Sequence, residues 1–302
     1  MDLRPQALPF DAASLPGLSE RLLTSHHQNN YGGAVKRLNS TRAQLEQTTF
    51  TQAPGFMLNG LKREELIATN SVLLHELYFA SLTAQPAAMA PAMGLALDAN
   101  FGSVARWRDE FASLGKALAG GSGWVLLSFL PREGTLVNQW AADHTQAIAG
   151  AAPLLALDMY EHAYHLDHGA DAAAYVDAFM ALIDWAQVYA RYQAAVHAAS
   201  DGLGVTQEDV ARGALLDVRR RGVFEQSAQM LPDATWRDPM DVAQWAPLLE
   251  PGAPVTVYCV YGHEVGRSTA LRLRACGVDA RFLEGGIDAW ARAGKPLADK
   301  QP

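Results

Sequence analysis

Apolar residues recur at helical spacing through most of the first two hundred positions. Between residues 15 and 50, Leu18, Leu22, Leu23 and His26, then Ala34, Val35, Leu38 and Leu45, mark out one helical face. LKREELIATNSVLLHELYFASLT (61–83) carries a stronger stripe of Leu66, Leu73, Leu74, Leu77 and Leu82. NFGSVARWRDEFASLGKAL (100–118) predicts a third helix, ended by the glycines of AGGSGW. The period then changes. WVLLSF (124–129) and GTLVNQWAA (134–142) read as strands joined by a Pro-Arg-Glu-Gly turn, which predicts a hairpin. ALDMYEHAYHL opens another helical tract, and AAAYVDAFMALIDWAQVYARYQAAV (172–196) predicts a long helix. Helices, a short sheet and more helices describe an α+β domain.

The texture shifts after Val196. AASDGLGVTQED (198–209) is polar and glycine-bearing, as a connection is. Beyond it ALLDVRR (214–220), VTVYCV (255–260) and ARFLEGG (280–286) are short apolar strands set between helical stretches, the pattern of a small α/β domain with a parallel sheet. The expected organisation is a domain over 1–198, a linker over 199–208 and a second domain over 209–302.

At 302 residues the chain has room for two such domains, each with its own core, and its 49% hydrophobic and 19% charged composition is that of a globular protein. No apolar run approaches the ~18 residues of a membrane span. MDLRPQALPFDAASLPGLSERLL lacks the basic-then-apolar pattern of a secretory leader. Cys259 and Cys276 are too few for a disulfide scaffold, and Cys276 reads as a packing residue. A cytoplasmic protein without a membrane partner is therefore expected. The net charge of −8 falls entirely in residues 1–208, which hold 12 Lys+Arg against 20 Asp+Glu; residues 209–302 balance 12 against 12. That acidity argues against a nucleic-acid partner, but leaves room for a small anion drawn by a local field.

Chemistry concentrates in DMYEHAYHLDH (158–168). Asp158 and His162 stand four apart, so a helix would put them on one face; alone, they could be a polar surface pair. His26, in LTSHHQNNYGG, and His75, in VLLHELYF, sit in helical tracts among apolar residues. An imidazole in the leucine stripe at His75 needs a partner. Three histidines and one carboxylate from three tracts form an N₃O set suited to iron, manganese or zinc.

Over residues 1–198 these segments resemble the iron/manganese superoxide dismutase family. LPGLSERLLTSHHQNNYGGAVKRLN is similar to its first helix, LLHELYFASL to its second, FGSVARWRDEF with GSGW to its approach to the sheet, and DMYEHAYHL to its signature D-x-W-E-H-A-Y. The resemblance implies that fold: an N-terminal helical hairpin, then mixed α/β with a small antiparallel sheet. It implies one iron or manganese ion per subunit, with His26, His75, Asp158 and His162 as ligands and superoxide as substrate. It also implies a homodimer or dimer of dimers, with Glu161 reaching a ligand histidine of the neighbouring subunit.

Departures fall around the ligands. The funnel histidine and tyrosine of the family are Asn30 and Ala34 here, with a tyrosine instead at Tyr31; the signature tryptophan is Tyr160, and a dimer-facing tyrosine is His165. The glutamine that bonds metal-bound solvent would fall at Ser71 or near Val137, so Gln139, or Asn138, is the candidate for that task. Trp124 is counted among the surrounding residues.

VTVYCVYGHEVGRSTALRLRACGV puts Cys259 at the end of an apolar strand, before a glycine-bearing loop and a helix. That arrangement is expected to aim backbone N–H groups at the sulfur and lower its pKa, with Arg267 adding charge; a buried structural cysteine is the alternative. With ALLDVRR and LEGGIDAWARAGKPL, this stretch is similar to a rhodanese domain over about residues 209–302. The resemblance implies transfer of sulfane sulfur from a donor through a persulfide on Cys259, with His263 and Glu264 joining the site in a longer loop. The leading expectation is a superoxide dismutase with an appended sulfur-transfer domain. The alternatives are a sulfurtransferase whose metal domain binds without rapid turnover, and a metal or redox sensor.

Overall fold

The computed structural model describes residues 2–210 and 213–300. The helical face expected over 15–50 forms in three pieces: α1 (Glu20–Ser25), a π-helical turn (His26–Tyr31) and α2 (Gly32–Glu46). Ser19 caps α1 through its hydroxyl, and α2 packs antiparallel to α3 (Gly55–Phe79) as a hairpin. The leucine stripe is only partly the buried face of α3: Leu74 and Leu77 pack half-buried against the core, and Leu82, just past the helix, is buried. Leu66 and Leu73 are 46% and 56% exposed, while Ala68, Ser71, Val72, His75, Tyr78 and Phe79 face inward.

α4 (Pro91–Phe101) and α5 (Val104–Ala117) replace the helix expected over 100–118; the Ser103 hydroxyl caps the second. The hairpin forms as expected. β1 (Trp124–Leu130) pairs antiparallel with β2 (Thr135–Ala141) on one side and β3 (Ala152–Asp158) on the other. β1 is buried along nearly its whole length, which accounts for its unbroken apolar run.

The tract read as helical from Ala156 is instead the end of β3. Asp158 is its last residue, His162 lies on a short 3₁₀ turn (Glu161–Ala163), and α6 (His165–His168) follows. The apolar run of PLLALDM cannot separate a buried strand from a helix, and pairing with β1 decides it. The long helix expected over 172–196 is two, α7 (Ala172–Ala181) and α8 (Trp185–Ala199), broken where Ile183 bridges to Leu82 and where the Asp184 carboxylate caps α8.

The second body is built on a five-stranded, wholly parallel sheet. β4 (Gly204–Val205), β5 (Ala214–Asp217), β7 (Thr235–Trp236), β8 (Pro254–Tyr258) and β9 (Asp279–Leu283) lie in the order β4-β9-β8-β5-β7. β6 (Gln229–Met230) pairs separately with β10 (Ala298–Asp299), and α9 (Arg221–Gln226), α10 (Val242–Trp245), α11 (Glu264–Ala275) and α12 (Gly286–Arg292) complete it. The first strand of this sheet thus starts within the segment read as a linker.

The two bodies are packed together. Leu271 of α11 is buried in the core of the first, and the hairpin turn at Gly134 lies against it. Gly134 has φ +65°, and a Cβ there would stand 2.8 Å from that of Leu271, so both backbone and contact require glycine.

Candidate metal centre

Four side chains from four segments meet inside the first body. His26 is brought by the π turn, His75 by the C-terminal part of α3, Asp158 by the end of β3 and His162 by the 3₁₀ turn after it. Their donor atoms all lie within 4.8 Å of one another. Asp158 Oδ2 is 3.0 Å from His26 Nε2, 3.2 Å from His162 Nε2 and 3.5 Å from His75 Nε2. Three of the four residues are buried, and His162 is the one with an exposed edge.

Asp158, His75 and the segment bearing His162 are held from behind, whereas the buried His26 Nδ1 has no hydrogen-bond partner among the described residues. Trp124 pairs across the sheet with Asp158, whose carbonyl accepts a 2.7 Å bond from the Tyr175 hydroxyl and whose Oδ1 accepts from Tyr160 N. His75 Nδ1 donates to the Ser71 carbonyl at 2.6 Å, which fixes the tautomer and leaves Nε2 with a free lone pair. The segment after His162 is tied back to α1: Asp167 accepts from the amide and hydroxyl of Ser19, both at 2.6 Å.

This donor set fits a metal ion. Burial pushes His75 down to about 3 and lowers His26, so both imidazoles are neutral. Burial alone would raise the Asp158 carboxyl, but the adjacent His162 and His26 hold it well below the usual carboxylate range. The unprotonated His75 Nε2 faces His162 Nε2 at 3.4 Å and a carboxylate oxygen, an arrangement that a cation at their centre satisfies.

The surroundings bear on each expected residue. Within the π turn both His26 and Tyr31 are buried, whereas Asn30 is partly exposed. Tyr31 is buried with its ring centroid 6.3 Å from that of His75; its hydroxyl accepts from Gln6 N at 2.8 Å and donates to Glu76 at 2.7 Å. Burial pushes this phenol up to about 12. Trp124 stands edge-on to His75 at 5.3 Å, and Tyr160 stacks on His162 at 5.4 Å. Glu161 and His165 are exposed.

Neither glutamine candidate reaches the ligands. Gln139 donates to the Gln146 carbonyl at 2.9 Å, and Asn138 bonds Trp107 and Glu110 on α5. The side chain that does approach is His144, which sequence reasoning missed. It accepts from Trp124 Nε1 at 2.9 Å, stacks on Tyr160 at 4.8 Å and lies 6.3 Å from the His75 ring. An indole N–H can only donate, so His144 Nδ1 is the acceptor and the neutral ring carries its proton on Nε2. Burial lowers its pKa and keeps it in that form. A lone histidine just past a strand, in AADHTQA, was the available signal, but without the sheet register nothing links it to Trp124.

Cys259 follows β8 and is 6% exposed. The loop does aim backbone N–H groups of Gly266, Gly262, Tyr261 and His263 at the thiol, yet burial outweighs them and raises its pKa, against the expected lowering. A glycine at 286 is obligatory: φ is +59°, and a Cβ would stand 2.4 Å from the Cys259 carbonyl. Arg267 lies in the first turn of α11 with its guanidinium over the Phe282 ring at 4.1 Å. Cys276, expected in packing, is exposed.

Three imidazoles and one carboxylate on an α+β frame, beside a parallel-sheet domain with a loop-borne cysteine, define a mononuclear metalloprotein joined to a second module. Residues 89–191 match the C-terminal domain of iron/manganese superoxide dismutases, and residues 203–293 match a rhodanese-like domain. An iron superoxide dismutase of Cupriavidus metallidurans is 59% identical over 189 residues, covering 63% of this chain and 95% of that protein. A manganese superoxide dismutase of Halobacterium salinarum is 33% identical over 193 residues, 62% of this chain and 94% of that one. An iron superoxide dismutase of Aquifex pyrophilus is 29% identical over 195 residues, 61% and 89%. The chain belongs to the iron/manganese superoxide dismutase family and carries a rhodanese-like domain after it.

Proposed function

We propose that the chain is a superoxide dismutase, an oxidoreductase that turns two superoxide anions and two protons into dioxygen and hydrogen peroxide. One iron or manganese ion per subunit serves the reaction. The convergence of His26, His75, Asp158 and His162 carries this reading, and we assign them as its ligands. Bound there, the ion supplies the one-electron couple that disproportionation needs.

The chain's own residues set the conditions for that couple. Asp158 brings negative charge into a buried site, and the Ser71 carbonyl keeps His75 Nε2 turned inward. His144 is assigned as a donor beside the site, offering its Nε2–H because Trp124 occupies Nδ1. Tyr31, neutral at physiological pH and fixed between Gln6 and Glu76, forms a wall beside His75. Exposed Glu161, His165 and Leu166 lie just beyond His162 and support a homodimer formed through this face, and the two free cysteines support a cytoplasmic protein.

A second activity is assigned to Cys259. Its thiolate would attack the sulfane sulfur of a donor such as thiosulfate, forming the Cys259 persulfide as the donor's S–S bond breaks and sulfite leaves with the electron pair. The four backbone N–H groups around the sulfur support this role. The test compares wild type, His162→Ala and Cys259→Ser in metal content, superoxide dismutation and thiosulfate:cyanide transfer. Metal-loaded wild type without dismutation would defeat the main reading.

A further inference from the structure

The loop that holds Cys259 is anchored from the other domain. Glu264, which opens α11, is 5% exposed, and its carboxylate accepts from the Tyr189 hydroxyl at 2.6 Å and Gln193 Nε2 at 3.2 Å. Both donors sit on α8 of the dismutase domain. Arg267 donates to the Gly262 carbonyl at 2.9 Å and to the Ser200 hydroxyl, just past α8, at 3.1 Å. The loop and the turn that follows it are therefore referenced to α8 as well as to their own sheet.

A pocket of about 100 Å³ opens over Cys259, lined by Tyr261, His263, Glu264, Arg220 and, from the first turn of α4, Ala92. At roughly 30 Å³ per water it holds a few heavy atoms. Its charge is distinctive. Arg219 is committed to Asp217 and Arg221 to Asp238, whereas Arg220 between them has no ion pair or side-chain hydrogen bond among the described residues. Arg220 also lines the neighbouring cleft between the two domains.

We propose that the Cys259 site is a composite of both domains. Tyr189 and Gln193 position the loop through Glu264, Ala92 closes one wall, and Arg220 admits a small anion of thiosulfate size rather than a persulfide carried on another protein. The inference rests on Cys259 as the sulfur acceptor, and names its donor class and the part the dismutase domain plays. Tyr189, Gln193 and Glu264 are positioning residues; none touches the donor sulfur.

The test uses the full chain in a Cys276→Ser background, which removes the exposed thiol. Alkylation of Cys259 is timed with iodoacetate, with neutral iodoacetamide of similar size, and with a bulky fluorescein maleimide, alongside thiosulfate:cyanide transfer and superoxide dismutation. Wild type should react with the small reagents and largely exclude the maleimide. Arg220→Ala should cut the iodoacetate-to-iodoacetamide ratio roughly tenfold. Ala92→Trp should block all three reagents. Tyr189→Phe and Glu264→Ala should admit the maleimide and lower transfer through kcat, by up to about 100-fold, with dismutation unchanged. Glu264→Gln, which keeps an acceptor for Tyr189, should restore the wild-type pattern.

Maleimide labelling as fast as iodoacetamide in wild type, or indifference to both Ala92→Trp and Tyr189→Phe, overturns the composite site. Alkylation that follows the pattern above, in a chain that transfers no sulfur from thiosulfate, upholds the shared wall and overturns the sulfur-acceptor reading instead.

Discussion

The two reactive centres are built in opposite ways. The metal centre gathers single side chains from residues 26, 75, 158 and 162, and its chemistry lies in those side chains. The Cys259 centre carries its sulfur and the N–H groups around it on one continuous loop, residues 259–266, which other segments hold in shape. A dispersed site tolerates change between its ligands but not at them. A contiguous site depends on loop shape, so residues far from the sulfur that hold the loop matter as much as those beside it.

That contrast orders the expected effects. Removing a ligand is the largest: His162→Ala should lose metal and at least about 100-fold of dismutation, while sulfur transfer persists. Its counterpart, Cys259→Ser, should abolish sulfur transfer and leave dismutation and metal content at wild-type values. If either substitution silences both activities, the centres are not separable. His144→Ala should come next, with metal retained and dismutation reduced by about 10- to 100-fold. An unchanged rate would return His144 to a purely structural role under Trp124.

Gly286→Ala tests the contiguous site through its backbone. The new Cβ would collide with the Cys259 carbonyl, so sulfur transfer should fall and stability drop by about 1–3 kcal/mol, with no change at the metal. The smallest effect is on the interface. Tyr192, buried between the domains, has its phenol pushed up to about 12 by burial. An unfolded tyrosine ionises near 10, so the stability tied to Tyr192 is complete below about 10 and is lost as pH rises through about 12. Tyr192→Phe should flatten part of that alkaline decline in urea unfolding.

The same contrast governs what could be read from the sequence. Helices, hairpin and parallel sheet were legible because each has its own period, and the strand–loop–helix around Cys259 is contiguous. Residue type and apolar context picked out His26, His75, Asp158 and His162 as a candidate set, and likeness to a family made them ligands of one site, since no spacing joins residue 26 to residue 158. Asp158 was placed on a helix because an apolar run such as PLLALDM suits a helix and a buried strand equally. The leucine stripe on α3 misled in part: Leu66 and Leu73 follow the helical period yet stay exposed, while Ala68, Ser71 and Val72 turn inward. His144 and the Glu264–Tyr189 contact depend on sheet register and domain packing, which no local pattern encodes.

The central claim is that these four side chains hold the ion. X-ray absorption at the iron or manganese edge of the metal-loaded chain tests it most directly. The account predicts a first shell of three imidazole nitrogens with oxygen donors, falling to two imidazoles in His75→Ala. A shell containing sulfur, or one unchanged by His75→Ala, would contradict it.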